Sequence, residues 1–492
     1  MHGFSATLKR AMSGSATHDD RSMLIAVNRE DGLGGRLLAM ANAKALADRL
    51  GYRFGFSWSS KDIVDQQSHT VDVVGKIFSA DFIERHWLGE TIKAADFGVL
   101  GGTAFTPSDL DTVARQGRLR GWICNGFDVL DFFRDDGAEP LRRSEALRAF
   151  GFSPAVRQAL DAAGKCRFPG PMAALHLRSG DIVYGHHRRR LVFADKVIPS
   201  TLAKAIVSEL SSRGLTTLLI GQDHATLDYL KAETGALRTD DFGAGEFREE
   251  APNAFFEMAL MAKCQQIHAG NSIYAVVASV MGDVPCVGTS ALFSNARAAE
   301  IIMDELQAHR SDYHPLESAF GYQWAFMSLE DEISPAQARE LLEKAQALDP
   351  VNDAYDLKMA AAYFRDGNYA AGEAILKSLM TSQSGVRSKI PLPMMDILVD
   401  EIGDHLTMVG DFEVFFAAAR AGHPYAMACS SFILLEVLED RTSAVEMAAR
   451  LVKAEPENLI FRRIRRRIEL GKKPKSGQWA RMRWRLGRLR WF

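Results

Sequence analysis

Met172-Ala173-Ala174-Leu175-His176-Leu177-Arg178-Ser179-Gly180-Asp181 decides how the chain is read. The mostly apolar first six residues predict a buried strand, and the polar, glycine-containing run after them marks its C-terminal end. Alternation along a strand puts His176 and Arg178 on one face, at the edge where open α/β sheets take their ligands. Arg178 can fork onto two phosphate oxygens and neutralise charge there, which a compact ammonium does less well. His176 reads either as a ligand-facing group or as a buried histidine bonded to backbone. Asp181 reads either as a turn residue or as a support that holds Arg178.

Downstream, the pattern predicts strands over 217–221, 266–269 and 284–287, with helices over 199–213, 224–234, 253–264 and 273–281. Strands alternating with helices at this spacing imply a parallel, doubly wound sheet. Upstream lies a second unit of the same kind. Met23-Leu24-Ile25-Ala26-Val27 reads as a strand, Asp31-Gly32-Leu33-Gly34-Gly35 as a glycine-rich turn, and 36–50 as a long helix. Further strands are expected over 52–56, 97–100 and 121–124. Glycines let backbone N–H groups approach a phosphate or sugar closely, and a helix N-terminus adds partial positive charge. Such turns are common, however, and neither GxGxxG nor GK[ST] is present.

From about Pro335 the strands give way to Ala-rich helix pairs. The run Ala338-Arg339-Glu340-Leu341-Leu342-Glu343-Lys344-Ala345, the turn Asp349-Pro350 and the following Gly367-Asn368-Tyr369 resemble a tetratricopeptide repeat, and Glu455-Pro456-Glu457-Asn458 matches the same turn later. An irregular helical bundle is the alternative, and a protein partner is a natural occupant of either. The expected organisation is one α/β domain over 22–150, a second α/β domain over 151–325, a helical region over 326–470 and a basic, aromatic tail over 471–492.

The two motifs together resemble the inverting fucosyltransferases with a GT-B fold. That superfamily opens with GGxGNR-like text before a long helix and carries HxRxxD-like text at the start of its nucleotide-binding half. Here Gly32-Leu33-Gly34-Gly35-Arg36 and His176-Leu177-Arg178-Ser179-Gly180-Asp181 stand in that order. The resemblance implies an α/β GT-B fold of two Rossmann-like halves. It also implies transfer of a sugar, fucose first, from a GDP-sugar to a glycan or lipid-linked glycan. By the same resemblance Arg178, His176 and Asp181 are the catalytic set, while Gly32, Gly34, Gly35, Arg36, Asp223, Asn271 and Ser272 bind the donor. Gly35 departs from the family's Asn, which leaves the sugar open. Ser272 reads equally as a phosphate contact or as a plain N-cap. Glu30, Asp31 and Asp181 are candidate general bases. The competing reading is a scaffold whose α/β part binds a nucleotide or glycan without turnover.

No metal is expected. Asp109-Leu110-Asp111 has the DxD letters, but Thr106-Pro107-Ser108-Asp109 reads as a capped helix start. No His or Cys spacing suits zinc, so the GDP-sugar is a co-substrate and no cofactor is implied. His186-His187-Arg188-Arg189-Arg190 reads as a basic loop, either a solvated turn or a receiver for an anionic acceptor.

The 492 residues call for about three cores, and 47% hydrophobic with 25% charged residues is ordinary for globular protein. Five scattered cysteines form no disulfide framework. Neither an export signal nor an apolar run of membrane-spanning length is visible, so the expected location is cytoplasmic. A net charge of −3 conceals an acidic body and a tail dense in Arg and Trp. The tail suits an anionic membrane surface, with the protein peripheral at its inner face, and the acidic body disfavours nucleic acid.

Overall fold

The computed structural model describes residues 23–61, 71–116, 119–384, 390–402 and 405–471, so the basic, aromatic tail lies outside the described residues. Contacts divide the chain into two compact units that meet in sequence after Arg157.

The first unit is built on a parallel sheet in the order β2-β1-β4-β3, with β1 Leu24–Val27, β2 Arg53–Phe56, β3 Phe97–Val99 and β4 Gly121–Ile123. β1 is central: Leu24 pairs with Arg53 on one side and Gly121 on the other, and all four of its residues are buried. That double coverage explains why it reads as an unbroken apolar run rather than an alternating one. On the β2 side Phe54, Phe56, Phe78, Phe82 and Phe150 stack into one aromatic cluster, with neighbouring ring centroids 5.2–6.4 Å apart. The glycine-rich turn is shorter than expected. The helix runs Leu33–Leu50 with Gly32 as N-cap, so Gly34, Gly35 and Arg36 are helical and buried.

The second unit carries a five-stranded parallel sheet in the order β7-β6-β5-β8-β9. Its strands are β5 Met172–Leu177, β6 Thr216–Gly221, β7 Leu237–Arg238, β8 Gln266–Ala269 and β9 Cys286–Val287. β5 is buried along its whole length and pairs with β6 and β8. The two-residue β7 is too short to leave a periodic signal. The strand expected over 284–287 shrinks to Cys286–Val287, because Asp283 takes a left-handed conformation (φ 55°) and Val284 N still donates to Ser279 O of the preceding helix. The helix expected over 253–264 is shifted toward its N-terminus, to Glu250–Met261.

Helices Asn295–His309 and Pro315–Leu329 lead without a break into Pro335–Leu348, Asp353–Arg365 and Tyr369–Gln383. Phe412–Arg420, Pro424–Phe432, Arg441–Ala454 and Leu459–Leu470 complete the helical region. The turns read as repeat-like do start helices: Asn352 caps Ala354 N at 3.3 Å, Asn368 caps Ala371 N at 3.2 Å, and Asn458 caps Ile460 N at 3.0 Å. One continuous apolar core runs from Ala173 and Leu175 of β5 to Ile464 and Ile468 of the last helix, so the helical region shares its core with the second sheet. Among the described residues no helix is long and apolar enough to cross a membrane.

Candidate functional site

The second sheet grows from β5 through β6 to β7 on one side and continues through β8 to β9 on the other. Its order therefore reverses between β5 and β8, the kind of place where open α/β sheets take their ligands beyond the carboxyl ends of the strands. The chain leaves β5 through Arg178-Ser179-Gly180-Asp181 and leaves β8 through Gly270-Asn271-Ser272. Two loops singled out on sequence thus flank the reversal.

Arg178 is partly buried. Its Nη2 donates to Asp181 Oδ1 at 3.3 Å, while its Nε has no hydrogen-bond partner. Asp181 also lies 3.7 Å from His187 Nε2, so it supports Arg178 from a small charged cluster. His176 is 7% exposed, and its ring centroid lies 5.5 Å from that of Tyr274. Ser272 occupies the N-cap position of helix Ile273–Gly282 but makes no side-chain cap, and its buried Oγ has no hydrogen-bond partner. Plain capping therefore does not account for this serine. Asn271 is tied down instead: its N donates to Asp195 O at 2.7 Å and its Nδ2 to Asp195 Oδ2 at 3.3 Å.

Asp223, expected to bind donor, is occupied as an N-cap of helix His224–Thr234. It accepts from Thr226 N at 3.2 Å, from Thr226 Oγ1 at 2.7 Å and from the Tyr184 hydroxyl. Burial works against its carboxylate, but these hydrogen bonds outweigh it and hold its pKa below the usual value. With Tyr184, His224 and His314 it lines an open cleft of about 380 Å³.

Two carboxyl groups near these loops gave no sequence signal. Glu317, 3% exposed, accepts from Ser200 Oγ at 2.7 Å, and burial pushes it up to about 7. Glu257, on helix Glu250–Met261, accepts from the Tyr274 hydroxyl at 3.2 Å and from Thr239 Oγ1 at 3.3 Å; burial raises it likewise to about 7. Tyr274 thus connects Glu257 to the face of His176.

For Glu317 the folded pKa lies above the ordinary 4.5. Between those values the folded chain holds a proton that the unfolded chain has lost. The stability contributed by this group is therefore fully present below pH 4.5 and is lost as pH rises through 7, a change of at most about 3 kcal/mol. In urea denaturation, wild type is expected to lose more stability between about pH 5 and 8 than Glu317→Gln does. Parallel pH profiles would count against the raised carboxyl.

In the first unit Arg36 is 1% exposed. Its Nε donates to Asp31 O at 2.7 Å, its Nη1 to Ser59 O at 2.6 Å, and its guanidinium lies 4.9 Å from the Trp58 ring centroid. Only Nη2 is left without a hydrogen-bond partner. Arg36 therefore binds the turn to the loop after β2, and just one of its nitrogens remains to offer a ligand. The Gly35 departure has a local explanation. A Cβ at that position would stand 2.1 Å from Asp31 Oδ2, so the Asp31 carboxylate fills the space of the missing side chain. Asp31 is in turn held by Arg29 at 2.6 Å, which leaves Glu30 as the exposed carboxylate of the three candidate bases.

Asp109 forms a capping box with Thr106: Thr106 N donates to Asp109 Oδ2 at 2.8 Å, and Asp109 N donates to Thr106 Oγ1 at 3.2 Å. Asp111 accepts from the Tyr52 hydroxyl. The Asp109-Leu110-Asp111 letters thus belong to a helix start. The Arg188-Arg189-Arg190 loop is neither a solvated turn nor an open receiver, because each arginine meets an aspartate of the helical region: Asp349, Asp353 and Asp400.

The chain is thus an α/β protein of two Rossmann-like halves followed by a helical region, which is not all-α as expected because one short antiparallel pair, Glu401–Ile402 with His405–Leu406, interrupts it. No protein-family model matches it, and no curated protein does. Among solved structures it is similar to the fucosyltransferase NodZ from Bradyrhizobium, with a TM-score of 0.31, 12% identity, and coverage of 52% of this chain and 92% of that one. It is also similar to POFUT1 in complex with GDP, with a TM-score of 0.29, 12% identity, and coverage of 55% of this chain and 99% of that one. Scores this low leave the function to rest on the residues themselves.

Proposed function

We propose that the chain is an inverting glycosyltransferase that takes a sugar, fucose first among the candidates, from a GDP-sugar and passes it to a hydroxyl of a glycan or lipid-linked glycan. The observation that carries the reading is the pair of unspent donors beside the sheet reversal, Arg178 Nε and Ser272 Oγ, on the two loops whose text resembles the donor site of the GT-B fucosyltransferases. An acceptor oxygen attacks the anomeric carbon, the bond from that carbon to the diphosphate oxygen breaks, and the nucleoside diphosphate leaves with the electron pair. The acceptor proton goes to a carboxylate acting as general base. Arg178 meets the charge that grows on the leaving diphosphate, aided by Ser272 and the uncapped N-terminus of helix Ile273–Gly282. Asn271, Asp181 and His176 shape this site, while Asp223 keeps the end of β6 in place. Gly32, Gly34, Gly35 and Arg36 form the corresponding helix start in the first half.

The reaction needs no divalent metal in this scheme, because a guanidinium carries the charge that a cation would otherwise neutralise. The test is a thermal-shift screen of nucleotides and nucleotide sugars, followed by turnover in excess EDTA. GDP and a GDP-sugar are expected to stabilise the chain, by about 2.7 kcal/mol at 100 times the dissociation constant. Turnover is expected to survive the chelator. A chain that no nucleotide stabilises is not a transferase of this kind, and activity lost to EDTA and restored by magnesium or manganese removes the metal-free scheme.

A further inference from the structure

Between Asp181 and Val197 the second unit has no regular element longer than six residues, only helices of one or two turns. Segments of this kind depend on outside contacts for their position. This one acts as a strap across the strand ends. At its start Asp181 meets Arg178, and Tyr184 donates to Asp223. At its end Asp195 accepts from Asn271, and the backbone of Lys196 lies so close to Gly270 that a Cβ there would stand 2.4 Å from Lys196 C. That close approach requires a glycine.

The middle of the strap is gripped by the helical region. Arg188 Nε lies 3.1 Å from Asp349 Oδ2, and Asn352 Nδ2 donates to Arg188 O at 3.3 Å. Arg189 Nη1 lies 3.7 Å from Asp353 Oδ2, which also accepts from Gln383 Nε2 at 2.9 Å. Arg190 Nε lies 3.3 Å from Asp400 Oδ2. Three successive arginines thus find three aspartates that are spread over some fifty positions of the helical region. Isolated exposed ion pairs contribute little, but Asp349 is 3% exposed and its pairing is desolvated.

We propose that Asp349, Asp353 and Asp400 are positioning residues of the donor site, which hold the Arg188-Arg189-Arg190 strap and through it Asp181 beside Arg178 and Asp195 beside Asn271. The link to the donor rests on the functional reading above; the link to the strap does not. Donor affinity in this chain is therefore set partly by helices that touch no substrate.

Hydrogen exchange and GDP titration on the full chain test this, with the triple variant Asp349→Asn, Asp353→Asn, Asp400→Asn and with Asp349→Glu alone. In the triple variant, exchange across 181–197 is expected to rise at least tenfold while helices Asp353–Arg365 and Tyr369–Gln383 stay protected. GDP affinity is expected to fall by about tenfold, and the donor KM to rise with kcat moved less. Asp349→Glu, which keeps the charge, is expected to retain most of both properties. Unchanged exchange across 181–197, or loss of protection throughout the helical region in both variants, overturns the clamp. A strap that loosens while GDP affinity holds overturns its role at the donor site. A wild-type chain that binds no GDP defeats the functional reading, and the exchange measurement then still decides whether the aspartates hold the strap.

Discussion

Replacing Arg178 with lysine is expected to lower turnover by at least about tenfold, and replacing it with alanine by about a hundredfold to a thousandfold. The guanidinium sits at the end of a strand buried on both faces, spends one Nη on Asp181 and keeps Nε unpaired. Lysine preserves the charge but loses the planar pair of donors, so it cannot grip two oxygens of a departing diphosphate at once. Because that charge grows as the sugar bond breaks, the loss is expected mainly in kcat, with a smaller change in the donor KM. Arg178 is only partly buried, so neither substitution should unfold the sheet, and circular dichroism would verify this. Wild-type kinetics in Arg178→Lys would remove the residue from the mechanism.

The second large effect is on stability. Asp411 is fully buried at the end of a one-turn helix, with its carboxylate 2.9 Å from Lys358 Nζ and beside Arg365 Nη2. Lys358, 4% exposed, also reaches Glu330 at 2.8 Å. Burial alone would lower the Lys358 pKa, but Asp411 and Glu330 outweigh it and hold the ammonium above its usual value. Asp411→Ala leaves the buried Lys358 and the half-buried Arg365 facing Glu330 alone, and is expected to cost about 3 kcal/mol in urea unfolding of the second unit. The double variant Lys358→Met, Asp411→Leu is expected to recover most of that loss, since Arg365 and Glu330 remain within 3.6 Å of each other. If Asp411→Ala unfolds at the wild-type urea concentration, the network contributes nothing.

The strands that carry the site were legible because burial on both faces writes itself as an apolar run. Met172–Leu177 is such a case, and Leu24–Val27 is another. Arg178, Asn271 and Ser272 were singled out because a strand end followed by small polar residues marks a sheet edge, and they do stand just beyond the ends of β5 and β8. What sequence missed has long-range causes. The bonds that hold Asp223, to Thr226 and to a tyrosine 39 positions away, cannot be read from the text around it. Glu317 looked like any acidic residue in a first helical turn, and only the fold buries it against Ser200, 117 positions earlier. The Arg188-Arg189-Arg190 run was read without its partners, because Asp349, Asp353 and Asp400 reveal their pairing only when the helices have come back onto the sheet. The early start of helix Leu33–Leu50 was masked by glycines, which weaken a helix in sequence terms but are tolerated when the first turn is buried.

The single core that joins β5 to Ile468 also governs the order in which the chain can be made into protein. The first unit closes at Arg157 and can fold while most of the chain has yet to leave the ribosome. The second sheet is complete by Val287, yet the apolar core it shares with the helical region is complete only when the last helix has been synthesised. Pulse proteolysis of stalled nascent chains should therefore find 23–157 resistant early and β5 through β9 protected only near the end of translation. Early protection of β5 through β9 in a chain stalled near residue 330 would show that the sheet closes without the helices from Pro335 onward. In the cell, the core begun at β5 stays incomplete for the rest of synthesis, and its apolar surface is open to a chaperone for that time.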